Sequence, residues 1–447
     1  MTLDPKVFKA YDIRGLYPAE LDEDGAYAIG RAYVEEFEPR AIAVGRDMRL
    51  SSPAMAAAVV RGASDAGADV VDVGMIGTEM LYYAVGALGL DGGVTVTASH
   101  NPKEYTGMKI VRRGALPVGG ESGLLEIRER ALRAFDPPRE TGSVREQDIY
   151  PGWAELVLGF VDVEAVRPLR VVIDAANGMA GQMLPPLLDR LPVETVRCFF
   201  EPDGSFPDHE PNPLLEENRE FIVAKVRQER ADLGVAFDGD ADRCFFVDDE
   251  GAFVPGDFVT ALLAQSVLER EPGGRIIYDV RASWAVPDTV AAAGGEALVN
   301  RVGHAFIKHR MRKEDAVFAG EVSGHYYFRD YFQADSGVIP MLLVLELVSR
   351  REQPLSEILA PFRERYFLTG EINTPVPDVA LKLQELKERF GPEGDVSHLD
   401  GVSVTARDWH LNVRPSNTEP LLRLNLEARS EALMEAKRDE VLALIRG

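Results

Sequence analysis

The 447-residue chain has two cysteines, Cys198 and Cys244. Two cannot build a disulfide framework, and they lack the paired spacing of a zinc site, so both read as small buried apolar residues. Positive charge is short as well: 49 Lys and Arg stand against 73 Asp and Glu, a net charge of −24. That balance excludes nonspecific binding to nucleic acid or to an anionic membrane. No apolar run approaches the ~18–20 residues of a membrane-spanning helix. The opening MTLDPKVFKAYDIRG also has no apolar core of a secretory signal, so a cytoplasmic protein is expected. If the ligand is an anion, the overall field opposes its approach, and the site must concentrate positive charge locally.

What is present is globular: 46% hydrophobic and 27% charged residues, enough to bury a core in each of two to four domains. Short Val- and Ile-rich runs alternate with helical patterns through residue 330 or so, the signature of βαβ units. Three runs end in polar loops: GGVTVTASHNP at 92–102, LGVAFDGDADR at 233–243 and AVFAGEVSGH at 316–325. Ligands of open α/β sheets bind beyond the carboxyl ends of strands, so the loops suggest related units around one cleft. Polar joints at 136–148, 247–257 and about 363–370 separate the units. Beyond them, strands near Val402–Ala406 and Leu421–Ala428 and a helix from Glu431 to Ile445 predict a smaller α+β tail.

Ser99 follows a strand expected over Val94–Ala98, and Pro102 breaks regular structure after it. Such a serine is a nucleophile or a turn former. Neighbours on an extended backbone project apart, so His100 beside it does not make a Ser–His dyad. Asp238, Asp240 and Asp242 alternate after an apolar strand and can converge on one hard cation such as Mg²⁺, or form a solvated acidic turn. An EF-hand is excluded, because its sixth position is Arg243 rather than Gly. In GEVSGH, Glu321 and Ser323 can read sugar hydroxyls and His325 can shuttle a proton, or the loop is a structural turn. NVRPSNTEP offers Arg414, Ser416, Asn417 and Thr418 as an anion cradle, or as a hairpin turn with a surface arginine.

Taken together and in order, the four motifs resemble those of the α-D-phosphohexomutases. In that family T-[AG]-S-H-N-P carries a phosphoserine, D-G-D-x-D-R binds Mg²⁺, G-E-x-S-[AG]-x reads sugar hydroxyls and R-x-S-N-T-x-P binds the substrate phosphate. The resemblance runs from YDIRG at 11–15 to the tail. Arg14 and Lys109 look like the family's positive residues around the phosphoserine, with Tyr11 beside them. IDAANGMAG at 173–181 and PDGSFPDHEPNP at 202–213 resemble segments of its second domain. The implied fold is three α/β domains of similar topology and a smaller C-terminal α+β domain around a central cleft. Residues 1–147 would carry the phosphoserine loop, 148–250 the metal loop, 251–365 the sugar-recognition loop and 366–447 the phosphate-binding loop.

Gly303 and His304 in RVGHAFIKHRM, with the GEVSGH form, resemble phosphomannomutases and the dual mannose/glucose enzymes. Those enzymes often carry Lys where this chain has Arg281, which keeps the charge and changes the geometry.

The resemblance implies that phosphorylated Ser99 converts hexose 6-phosphate and hexose 1-phosphate into one another through a bound hexose 1,6-bisphosphate, which also serves as activator. One Mg²⁺ would be held by Ser99, Asp238, Asp240 and Asp242. Arg14, His100, Lys109, Arg243 and His325 would assist, with His325 as first proton shuttle and Lys109 as second. The expected partners are small hexose phosphates. The alternatives are a phosphoglucosamine mutase, a phosphoserine-dependent sugar phosphatase and a noncatalytic sugar-phosphate sensor.

Overall fold

Residues 3–137, 140–416 and 420–447 are described by the computed structural model of the protein, and in them one strand arrangement occurs three times. Ala41–Arg46 lies between Asp69–Met75 and Gly92–Val96. Arg170–Asp174 lies between Glu194–Cys198 and Leu233–Phe237, and Arg275–Asp279 between Glu296–Asn300 and Phe318–Gly320. All six pairings are parallel. In each trio the first strand in sequence is central, and its run of Val, Ile or Ala is buried almost throughout, as a strand covered on both faces must be. The third strand of each trio leads into a polar loop, carrying Ser99, Asp238 or Glu321. Their shared position beyond a carboxyl end is where open α/β sheets place ligands.

The chain divides into two units. One runs to Val254 and adds Lys308–Lys313 and Ser323–Leu355; the other takes Pro255–Ile307, Glu314–Val322 and Ser356–Gly447. In the first, Tyr105–Arg112 pairs antiparallel with Gly92–Val96 and with Ile13–Leu16. Cys244–Asp248 does the same with Leu233–Phe237 and Phe253–Val254. The 249–252 stretch, expected as part of a joint, is therefore a turn between two paired strands. Both cysteines are buried.

The second unit ends in a wholly antiparallel sheet of five strands, Phe367–Pro375, Leu421–Ala428, Trp409–Pro415, Val402–Thr405 and Asp395–Ser397 in spatial order. Alternation in Leu421–Ala428 buries Leu422, Leu424 and Leu426 on one core, shared with the helices Val379–Phe390 and Glu431–Arg446. Arg414 was expected in a loop, but it sits within Trp409–Pro415. The expected joint near 363–370 also gives way to structure, since the strand Phe367–Pro375 begins inside it. No described helix is long and apolar enough to cross a membrane.

Candidate active site

Ser99 lies three residues past Gly92–Val96, a strand that ends earlier than its apolar pattern suggested. Thr97 Oγ1 accepts the Ser99 N–H at 2.9 Å and starts a tight turn. Ser99 itself has φ +49°, in the left-handed region. That geometry corrects the expectation for His100: neighbours on a left-handed residue do not splay apart, and His100 Nδ1 lies 3.3 Å from Ser99 Oγ. Burial first, then Arg243 and Arg14, hold the His100 ring well below its usual pKa, so it is neutral.

Arg49, which carries no recognisable motif, staples this loop. Its buried guanidinium donates to the carbonyls of Ser99 (2.8 Å), Asn101 (2.5 Å), Pro102 (2.8 Å) and Tyr105 (3.2 Å). The only sequence signal was its place beyond the carboxyl end of Ala41–Arg46.

Ser99 Oγ donates to Asp238 Oδ2 at 2.8 Å. So close an approach of the two loops needs glycine at 239, where a Cβ would stand 2.4 Å from the Ser99 carbonyl oxygen. Ala241 at φ +59° turns the loop, and Asp238, Asp240 and Asp242 converge with ligand oxygens within 4.8 Å of one another. All three are buried. Asp240 Oδ1 and Asp242 Oδ1 have no hydrogen-bond partner among the described residues. Two orphaned carboxylate oxygens in a buried acidic triplet fit a hard divalent cation.

Lys109 Nζ donates to Asp240 Oδ2 at 2.8 Å and also to Asp242 Oδ2. Burial opposes its charge, but these two carboxylates raise its pKa above the ordinary lysine value. An ammonium so held places a fixed positive charge between the two carboxylates. Burial would raise Asp240; Lys109 and then Thr78 outweigh it and hold the carboxyl below the usual range. Burial and the Asp240 charge push Asp242 up to about 6, and burial with both neighbours raises Asp238. The sequence did not disclose Thr78, whose hydroxyl donates to Asp240 Oδ2 at 2.5 Å.

Arg243 donates from its backbone N–H to Asp238 Oδ1 (3.2 Å) and from Nε to His325 Nε2 (3.3 Å). His325 Nδ1 lies 3.1 Å from Ser323 Oγ, and Nε2 lies 3.6 Å from Asp242 Oδ1. Arg14 pairs with Asp12 at 2.8 Å and donates to Asn101 Oδ1 at 2.9 Å. Tyr11 is half-buried two residues before Ile13–Leu16. Ten expected residues thus belong to the first unit with Tyr11: Arg14, Ser99, His100, Lys109, Asp238, Asp240, Asp242, Arg243, Ser323 and His325.

In the second unit, Gly303 at φ +129° donates its N–H to Glu321 Oε1 at 3.0 Å, and His304 opens the helix His304–Glu314. Arg281 forks onto Asp279 with contacts of 2.9 and 2.8 Å and lies 4.0 Å from Glu321. Glu371, another residue without a motif, gathers three arginines: Arg423 at 2.9 Å, Arg414 at 3.1 Å and Arg281 at 3.6 Å. Burial opposes its charge, and Arg281, Arg414 and Arg423 nonetheless hold it below the usual carboxylate range. Ser416 takes a backbone bond to Leu421 at 3.0 Å. Asn417 and Thr418 lie outside the described residues.

Four family models match in order: phosphoglucomutase/phosphomannomutase alpha/beta/alpha domains I, II and III at residues 5–134, 152–251 and 255–366, and the C-terminal domain at 371–444. The chain is 44% identical to a phosphomannomutase of Escherichia coli strain K12 over 98% of each chain. It is 42% identical to a Xanthomonas campestris protein described as phosphohexose mutases, over 98% of this chain and 99% of that one. A crystal structure of a phosphoglucomutase/phosphomannomutase family protein from Burkholderia thailandensis superposes with a TM-score of 0.90 at 34% identity, covering 100% of this chain and 98% of that one.

Proposed function

Because the chain belongs to the phosphoglucomutase/phosphomannomutase family, we propose that it moves phosphate between the 6- and 1-positions of a hexose with Ser99 as the carrier. The activity itself is that of a hexose phosphate mutase, an isomerase. The observation that carries the assignment to Ser99 is its hydroxyl, hydrogen-bonded to Asp238 inside a triplet with two orphaned oxygens.

In the forward half-reaction the bond from phosphorus to Ser99 Oγ breaks as a bond to the free sugar hydroxyl forms, and that hydroxyl's proton passes to a base. His325, oriented between Ser323 and Arg243, is the base assigned here. In the return half-reaction Ser99 Oγ attacks the other phosphate of the bound 1,6-bisphosphate and gives up its proton, while the bond from that phosphorus to the sugar oxygen breaks and the oxygen takes back the proton left on His325. Asp238 Oδ2, at 2.8 Å, and neutral His100 are the acceptors within reach.

The family is metal-dependent, and the acidic triplet supports a metal site here. Asp238, Asp240, Asp242 and Ser99 would hold Mg²⁺, which when bound neutralises charge developing on the transferring phosphoryl group. Lys109, Arg14 and Arg243 add fixed positive charge there. Arg414 and Ser416, with Asn417 and Thr418, are assigned to the phosphate that does not react; Glu321, Gly303, His304, Ser323 and Arg281 to the sugar.

Mannose phosphate is the proposed substrate, supported by the phosphomannomutase relative and the GHAFIK and GEVSGH segments. The test is a parallel assay of mannose, glucose and glucosamine 1-phosphates with catalytic bisphosphate and Mg²⁺. The mannose compound should give the highest kcat/KM. A preference for glucosamine 1-phosphate would overturn the substrate, and stoichiometric release of inorganic phosphate would overturn the mutase reading.

A further inference from the structure

Asp240 Oδ2 receives two donors, Lys109 Nζ at 2.8 Å and Thr78 Oγ1 at 2.5 Å, while Oδ1 has none. Thr78 also donates its backbone N–H to the Asp240 carbonyl at 3.0 Å, so one fully buried residue grips both ends of the aspartate across 162 positions of sequence.

The residues on either side make that grip rigid. Gly77 permits the approach, because a Cβ there would stand 2.9 Å from the Asp240 carbonyl oxygen and 2.2 Å from Met183 Sδ. Glu79, fully buried, is fixed by four donors: Trp153 Nε1 at 3.0 Å, Ser336 Oγ at 2.7 Å and the N–H groups of Gly337 and Val338 at 2.9 and 3.2 Å. The Gly77–Thr78–Glu79 segment is thus anchored on one side and holds Asp240 on the other.

We propose that Thr78 is a positioning residue of the metal site, fixing the Asp240 carboxylate so that Oδ1 is presented to the cation. This rests on the assignment of the aspartate triplet to a metal. Lys109 alone cannot fix the carboxylate plane, since an ammonium is a rotating point donor shared with Asp242. The second donor, the Thr78 hydroxyl, sets the orientation. Partners that orient a metal ligand in this way are worth ~10–100-fold in affinity when removed.

The test compares Thr78→Val, which keeps the shape and the backbone bond but removes the hydroxyl, with Thr78→Ser, which restores it. Mn²⁺ affinity is read by the loss of the free-ion electron paramagnetic resonance signal, and folding by melting temperature without metal. Thr78→Val should bind Mn²⁺ ~10-fold or more weakly than the parent, and Thr78→Ser should recover most of the difference. Equal affinity in parent and Thr78→Val would overturn the proposal. So would a Thr78→Ser variant as weak as Thr78→Val at an unchanged melting temperature, since the hydroxyl would then not be the active group. If the parent itself bound no Mn²⁺, and Asp242→Asn made no difference, the metal assignment would fail before Thr78 came into question.

Discussion

Lys109→Met should cost the first unit more than any surface ion pair could, and the loss should be repaired by metal. In the parent the ammonium touches Asp240 and Asp242, with side chains 9%, 1% and 1% exposed. Methionine fills a similar volume but leaves both carboxylates, with Asp238 nearby, without their shared counter-charge. Removing one partner of a buried ion pair costs about 3–5 kcal/mol, because the remaining charge stays desolvated. At about 2–4 °C per kcal/mol for a unit of this size, the melting temperature in EDTA should fall by roughly 10 °C.

A cation bound at 100 times its dissociation constant returns about 2.7 kcal/mol. It should also bind the variant more tightly, since the site is one positive charge poorer. Calorimetric melts in EDTA and in Mg²⁺ therefore show the gap narrowing with metal.

The pH dependence gives an independent sign. In the parent, Asp240 is held below its unfolded value, so its contribution is present above the ordinary carboxylate range and is lost as pH falls through the lowered value. Without Lys109, burial and mutual repulsion raise the carboxyls, and stability then falls as pH rises. The gap between parent and variant must widen from pH 5 to pH 8. An unchanged melt in EDTA, or a gap that narrows with rising pH, would refute the electrostatic account of Lys109.

Ser99→Ala should lose essentially all mutase turnover from bisphosphate-primed enzyme while the circular dichroism spectrum is retained; turnover near the parent rate would remove Ser99 as carrier. Arg414→Ala should raise KM for hexose phosphate by about 10-fold or more with a smaller change in kcat, and the reverse pattern in steady-state kinetics would contradict a binding role. Glu427 is buried under Trp284 N–H, and burial above all pushes its carboxyl up to about 8. An acid whose folded pKa exceeds its unfolded one stabilises below the unfolded value and loses that contribution as pH rises. Melting of the second unit should therefore drop between pH 5 and 8 in the parent and stay flatter in Glu427→Gln, a change of order a few kcal/mol.

The chemistry-bearing loops were legible because each sits directly after an apolar strand, where composition changes abruptly. Ser99, Asp238 and Glu321 could all be placed from the sequence before any contact was known. The expected strand Leu421–Ala428 is observed with those limits, since apolar and polar residues alternate from Leu422 to Ala428. Residues that act through distance leave no such mark. Arg49 works by holding four carbonyls, Thr78 by reaching an aspartate 162 positions away, and Glu371 by accepting three arginines. Each looks in sequence like an ordinary polar residue. The contact between Ser99 and His100 is hidden in sequence for a local reason, because a left-handed residue within an expected extended segment leaves no mark in composition.

Glu371 also changes what the acidic composition means for a phosphate site. A net charge of −24 seemed to demand local cations, and Arg281, Arg414 and Arg423 supply them. Guanidiniums that are partly or wholly buried cannot stand unpaired at low cost, and here Asp279 and Glu371 satisfy them. Under the proposed function, a substrate phosphate at Arg414 would meet three guanidiniums that share two carboxylates, and would compete with Glu371 for them. The guanidinium fork can pair bidentately with either carboxylate or phosphate, so the two anions are alternative partners for the same donors. The same logic holds around Ser99, where Lys109, Arg14 and Arg243 are each spoken for by aspartates. In each unit taken by itself, interleaved opposite charges are what the proposed function would use to hold phosphate in an acidic protein without a basic surface.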